Sequence, residues 1–273
     1  MENPCDISNS EVFSNYKSYL VVPAGKRGTY QTRGWIFDNI IEDGEGGNSG
    51  MVFSVDGNTY KIDQDDTVVL MSGDTKLSGE ILIPSQVEFL GKNYSIISIG
   101  ESAFEGNTNL TSVTIPIGVK AIGQSAFEGC TGLADVIIPS SVETIEKGAF
   151  YGCSALTSVK IPDGVTEIPY GAFTATNLTC IIIPRNVTSI GEYAFERCTN
   201  LKRIVLEMPD PIDIDQNVFK DNENVFSLAT LVVPDGAKDA YKSTDVWENF
   251  TIISEASEQK ARTVEVVKAG TLS

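Results

Sequence analysis

IGQSAFEGCTGLADVIIPSSVET, residues 122–144, decides the reading of this chain. The 23 residues before it, IGESAFEGNTNLTSVTIPIGVKA (99–121), repeat its pattern, and so do the 23 after it, IEKGAFYGCSALTSVKIPDGVTE (145–167). IPYGAFTATNLTCIIIPRNVTS and IGEYAFERCTNLKRIVLE carry it on to Glu207. Self-similarity at a fixed period of this length marks a solenoid. Each repeat is one coil, and only stacking on its neighbours gives it a core.

Spacing within the repeat assigns roles. In Leu110-x-x-Val113-x-Ile115-Pro116, the period of two at Val113 and Ile115 predicts a short strand with those side chains inward. Pro116 ends it, because proline cannot donate to a continuing ladder. Val119-x-x-Ile122 then turns the chain toward a second wall, and Gly-x-x-Ala-Phe supplies a short helical turn. Phe104, Phe127, Phe150, Phe173 and Phe195 are predicted to stack on one another. Strand ends at Pro84, Pro116, Pro139, Pro162, Pro184, near Leu206 and at Pro234 predict seven parallel strands.

Composition narrows the function. Twenty basic residues against 37 acidic ones give a net charge of −17, which speaks against nucleic acid or anionic lipid as a partner. There is no histidine, so the commonest general base, nucleophile activator and transition-metal ligand is missing. No apolar run is long enough to span a bilayer. Of the five cysteines, Cys130, Cys153 and Cys198 share one repeat position, Cys180 falls on a strand and Cys5 lies near the start. This spacing favours a ladder of small buried thiols over a disulfide framework, with a Cys130–Cys153 bridge as the lesser alternative. Neither a Cys-x-x-Cys pair nor a Gly-x-Ser-x-Gly or phosphate loop occurs, so no metal, cofactor or catalytic residue is expected. Asp135 has only Ser112 and Ser158 beside it in its column, which leaves no acid pair for glycoside chemistry.

The flanks organise around the array. LVVPAGKRGTYQTRGWIFDNIIED in residues 1–42 is matched by LVVPDGAKDAYKSTDVWENFTIISE near the other end, with Pro23, Gly25, Tyr30 and Trp35 against Pro234, Gly236, Tyr241 and Trp247. Upstream, Phe13 matches Phe219. Residues 1–42 therefore read as a partial copy of the closing module, and the chain as a section of a longer one. Residues 43–50, DGEGGNSG, are a linker by composition. Residues 51–80 alternate apolar and polar around tight turns and read as a β-hairpin cap on the first coil. The array runs over 81–255, with Asp235–Trp247 as a capping helix begun by Asp235 and turning Ala237, Ala240, Tyr241, Val246 and Trp247 inward. Residues 256–273 are a polar tail and a β-prone stretch.

Ile122-Gly123, Ala126-Phe127, Gly129-Cys130, Leu133, Val136, Ile138-Pro139 and Val142, with their counterparts one period away, resemble the BspA-type leucine-rich repeat of bacterial surface proteins, abundant in Bacteroidetes. The fold class expected is mainly β with short helical turns: a right-handed leucine-rich-repeat solenoid of parallel strands with a β-hairpin N-terminal cap. The resemblance implies a secreted or outer-surface, non-enzymatic protein that adheres to host matrix or cell-surface proteins. Every signature residue is interior, so specificity must sit on the outward strand positions. One column is Ser112, Asp135, Ser158, Cys180, Arg203 and Thr230; the other is Leu82, Thr114, Ile137, Lys160, Ile182, Val205 and Val232. From these, Thr114, Asp135, Ile137, Lys160, Ile182, Arg203 and Val205 are the candidate partner-binding residues. A spacer that projects another domain is the alternative, followed by glycan binding, which would want aromatics on this face.

Overall fold

The computed structural model describes residues 19–22, 39–42 and 51–258, apart from 65, 74–76, 90 and 223. The linker at 43–50, Cys5, Phe13, Pro23, Gly25, Tyr30, Trp35 and the tail from 259 onward lie outside the described residues. The chain divides into two units, Met1–Ser49 and Gly50–Ser273. In the first, β1 (Tyr19–Val22) pairs in parallel with β2 (Asn39–Glu42).

The second unit opens with β3 (Val52–Val55), β4 (Asn58–Gln64) and β5 (Thr67–Ser72), an antiparallel meander turning at Asp56-Gly57. Phe53, Tyr60, Ile62, Val68 and Leu70 alternate inward and are buried. The meander is continuous with the solenoid, because β5 pairs in parallel with β8 (Lys92–Ile99). An antiparallel strand that the repeat pattern does not announce, β7 (Gln86–Phe89), folds back on β8 around Gly91, whose φ is +76°.

Each coil has three walls. The strand wall is built from β6 (Gly79–Leu82), β9 (Leu110–Thr114), β11 (Asp135–Ile137), β14 (Cys180–Ile183), β16 (Arg203–Leu206), β17 (Thr230–Val233) and β18 (Ile252–Glu255). The short-strand wall carries β8, β10 (Ala121–Ile122), β12 (Thr144–Ile145), β13 (Glu167–Ile168) and β15 (Ser189–Ile190). All pairings between coils are parallel. The turn wall holds the Gly-x-x-Ala-Phe segments, cross-linked by a bond repeated once per coil: Phe104 N to Ala126 O, Phe127 N to Ala149 O, Phe150 N to Ala172 O and Phe173 N to Ala194 O, at 2.8–2.9 Å.

The core is a stack, as the spacing predicts. Phe104, Phe127, Phe150, Phe173 and Phe195 follow one another at 5.2–5.8 Å between ring centroids, within 5° of parallel, and Phe219 extends the column. Burying each ring contributes roughly 1.5–3 kcal/mol. Three residues after each phenylalanine comes a buried donor. Cys130, Cys153 and Cys198 point their Sγ at the carbonyls of Phe104, Phe127 and Phe173 one coil back, at 3.0–3.1 Å. Asn107 and Asn222 do the same at the two ends, toward Leu77 O and Phe195 O. Thr176 fills the slot in the coil one residue short, bonding Phe173 O and Cys198 Sγ. These cysteines are free thiols, so the Cys130–Cys153 bridge is absent.

The closing helix is shorter than expected. It spans Lys238–Lys242, followed by a 3-10 turn at Trp247–Asn249. Asp235 is not its N-cap: Ala237 holds that position, and Asp235 Oδ1 accepts from Ser257 N at 2.9 Å. Gly236, at φ +84°, turns the chain between them. Ala237, Tyr241, Val246 and Trp247 are buried, whereas Ala240 is exposed because so short a helix presents only one face. Tyr241 Oη donates to Met208 O at 2.9 Å and Trp247 Nε1 to Ile212 O at 2.8 Å, pinning the irregular segment after Leu206 to the end of the array.

Candidate interaction surface

Pleating sends alternate strand residues outward, and stacking in register lines them up between coils. Thr114 lies opposite Leu82 and Ile137, and Ile182 lies opposite Lys160 and Val205. Asp135 lies opposite Ser112, and Arg203 opposite Cys180 and Thr230. The candidates therefore fall into two groups by register: Thr114, Asp135 and Ile137 in one, and Lys160, Ile182, Arg203 and Val205 in the other. Asp135 and Arg203 share a column but are not neighbours.

Ile137 is 53% exposed and Ile182 42%. Lys160, Asp135 and Arg203 are exposed, while Thr114 and Val205 are half-buried. The apolar column does not run to the end of the array, because Val232 is buried. Its register partner Ser254 is buried too, with Oγ donating to Glu258 at 3.0 Å. That bond, with Lys238 Nζ at 3.2 Å, holds the Glu258 carboxyl below its ordinary range. Burial pushes the half-buried Cys180 thiol up, and Arg203 beside it pulls the other way.

Between carboxylates and cations spread over separate coils lie β-branched alkyl groups and the aliphatic stem of Lys160, which covers apolar surface while its ammonium stays in water. Among the described residues no group of three or more Cys, Asp or Glu side chains could hold a metal ion. Asp210, Asp213 and Asp215 are exposed in the segment after Leu206, where Asp215 Oδ1 accepts from Asn217 N at 2.7 Å.

Sequence reasoning missed the aromatics of another wall. Tyr151 and Tyr170 are exposed on the turn wall, and Tyr170 meets the half-buried Tyr193 edge-on at 5.4 Å. Lys220 Nζ sits 5.1 Å from the centre of the Tyr193 ring. A bond to the Glu192 carboxylate raises the Tyr193 hydroxyl above its ordinary range. The signal was present in the tyrosines of FYGC, IPYG and GEYA, which occupy outward places in a turn whose inward places belong to Ala and Phe.

Comparison with known proteins agrees with this geometry. The model of the BspA type leucine rich repeat region matches six copies over residues 97–226. A leucine-rich repeat protein from Bacteroides ovatus is 27% identical, with a TM-score of 0.54 over 68% of this chain and 56% of its own. This chain thus spans little more than half the length of that protein. The T. pallidum leucine-rich repeat protein is also 27% identical, with a TM-score of 0.52 over 57% of this chain and 72% of its own. No curated protein matches. Family model, structural neighbours and the coil-by-coil geometry converge: the array at residues 97–226 is a BspA-type leucine-rich repeat region, carried within a leucine-rich-repeat solenoid.

Proposed function

We propose that this chain is a non-enzymatic binding module at the cell surface or outside the cell, and that it takes a protein partner on its strand wall. The observation that carries the reading is the pair Ile137 and Ile182, large apolar side chains 53% and 42% exposed on either side of Lys160. Single exposed apolar residues are ordinary. A column of them with Leu82, flanked by Asp135 and Arg203, supplies an apolar strip with a charged rim, which is how protein interfaces are arranged. The leucine-rich-repeat scaffold is generally one of protein interaction, and BspA-type arrays are typically surface or secreted; both support the reading. Among the described residues no helix is long and apolar enough to cross a membrane.

Residues 1–42 fit the same scheme as a partial second closing module. β1 and β2 pair in parallel, as do β17 and β18, the strands that the matched sequences form in the closing module.

The test is capture. The purified chain is presented to immobilised serum and extracellular-matrix proteins, and retained protein is quantified against a chain of reversed sequence order. Saturable retention supports the binding module. Its absence across the panel supports the spacer. Retention competed by soluble oligosaccharide would move the site to the turn-wall tyrosines and to a carbohydrate ligand.

A further inference from the structure

Within the four coils from Gly100 to Ile190, neighbours are stitched at recurring places, and one boundary among them lacks the stitches. At the corner after the strand wall, Ser141 Oγ donates to Val119 O at 2.8 Å and accepts from Gly118 N at 3.1 Å; Asn186 Nδ2 donates to Asp163 O at 2.8 Å. After the short strands, Gly123 N donates to Ile99 O, Glu146 N to Ile122 O and Gly191 N to Ile168 O, at 2.7–2.9 Å. Between the coil ending at Ile145 and the coil Glu146–Ile168, both kinds of bond are missing, for reasons written in the sequence. Gly164 stands at the corner position and has no side chain to offer. Pro169 stands at the entry position and has no N–H to give the Ile145 carbonyl.

The sheets part at the same boundary. Among the described residues β12 does not pair with β13, and β11 does not pair with residues 158–160, although both ladders resume one coil later. The core is less sealed here than in the coils on either side: inward Val136 and Val159 are 5% and 8% exposed, against 0% for Val113 and 1% for Ile181. Ile138 is half-buried where Ile115, Ile161 and Ile183 are buried. A cleft of ≈ 350 Å³ lies on this boundary, lined by Glu143, Ile145, Glu146, Thr166, Glu167 and Pro169 among others. The turn wall crosses intact, through Ser125 N to Lys147 O, Phe127 N to Ala149 O and Gly129 N to Tyr151 O at 2.8–3.0 Å, through Cys153 Sγ to Phe127 O at 3.1 Å and through the Phe127–Phe150 stack; at its margins Gln124 N donates to Glu146 Oε2 at 3.0 Å and Ser154 Oγ to Thr131 O at 3.5 Å.

We propose that the solenoid is two rigid blocks, residues 51–145 and 146–258, hinged on the turn wall, with Gly164 and Pro169 as the residues that release the other two walls. Thr114, Asp135 and Ile137 ride on one block; Lys160, Ile182, Arg203 and Val205 ride on the other. A partner lying along the strand wall then spans the hinge and fixes its angle. This last step rests on the strand-wall reading, while the hinge itself does not.

The test uses the chain without any partner, so its outcome is independent of the binding assay. In a Cys5→Ser/Cys180→Ser background, Val159→Cys at the boundary and Ile181→Cys inside a block are labelled under native conditions with a maleimide too bulky for the cleft. Ile181→Cys reports global opening. Hinge opening predicts labelling of Val159→Cys about tenfold or more faster, as expected of a local opening below the global one. The stitched variant Gly164→Ser/Pro169→Glu brings that rate down toward the Ile181→Cys rate. A disulfide between Ile137→Cys and Lys160→Cys, which hold the same outward position in the coils on either side of the boundary, does the same without relying on the restored bonds. Equal rates at the two positions, or a Val159→Cys rate that the disulfide leaves unchanged, overturn the proposal.

Discussion

The rings of Phe127 and Phe150 lie 5.4 Å apart and within 3° of parallel, and the Cys153 thiol bonds the Phe127 carbonyl at 3.1 Å. One coil thus contributes both the ring and the acceptor on which the next coil settles. Phe150 contacts a ring on each side. Phe150→Ala is expected to cost about 3–5 kcal/mol, the price of a large buried cavity. Chemical denaturation of the full chain reads this. Because each coil is sealed only by its neighbours, the transition is also expected to broaden. A loss below 1 kcal/mol would mean that the stack is not the core.

The same ladder sets thiol chemistry. Burial pushes Cys130 and Cys198 up to about 11, from 9.0, and raises Cys153 as well. Native chain at pH 8 is expected to leave these three unmodified by iodoacetamide, with Cys180 reacting slowly, and the unfolded chain to expose every thiol. Because the folded values lie above the unfolded one, their contribution to stability is complete below pH 9 and falls as pH rises toward 11. Cys130→Ser/Cys198→Ser should therefore flatten the alkaline decline in denaturation midpoint. An unchanged slope would show that these thiols do not titrate against the fold.

Gly123 allows the coils to close. A Cβ there would sit 2.7 Å from the Gly100 carbonyl carbon and 2.8 Å from Glu101 N, both backbone atoms that cannot swing aside. Gly123→Ala is expected to destabilise by about 1–3 kcal/mol, measured as a shift in urea midpoint.

Ala175 illustrates the reverse. It holds φ 57° at the turn position where Gly106, Gly129 and Gly152 hold 70°, 69° and 71°. The left-handed region is strained for alanine. Ala175→Gly is expected to gain up to about 1 kcal/mol and raise Tm by roughly 2–4 °C, read by calorimetry.

The interior was legible in the sequence because period and role coincide. Val113 and Ile115 face inward and Pro116 closes the strand, as their spacing requires, and the phenylalanines stack one per coil. The exceptions were harder. Asp235 looks like a helix N-cap, yet a left-handed Gly236 follows it and Ala237 is the N-cap. The strand at Gln86–Phe89 interrupts the first coil with no repeat to announce it. Pro169 and Gly164 sit where other coils place residues as ordinary as glutamate and serine. Their meaning appears only once it is known which bonds those positions make. The candidate surface was legible as two columns of positions, but exposure along them was not. Val232 has the same spacing as Ile182 and is buried, which the spacing alone does not announce.

The strand wall is the proposed seat of the partner. The direct measurement is the affinity of Ile137→Asp/Ile182→Asp/Val205→Asp for whichever serum or matrix protein the unaltered chain retains, with circular dichroism to confirm the fold. These side chains are exposed or half-buried, so the variant should fold. It is expected to fold and no longer bind. Full-strength binding by the folded variant would place the site elsewhere.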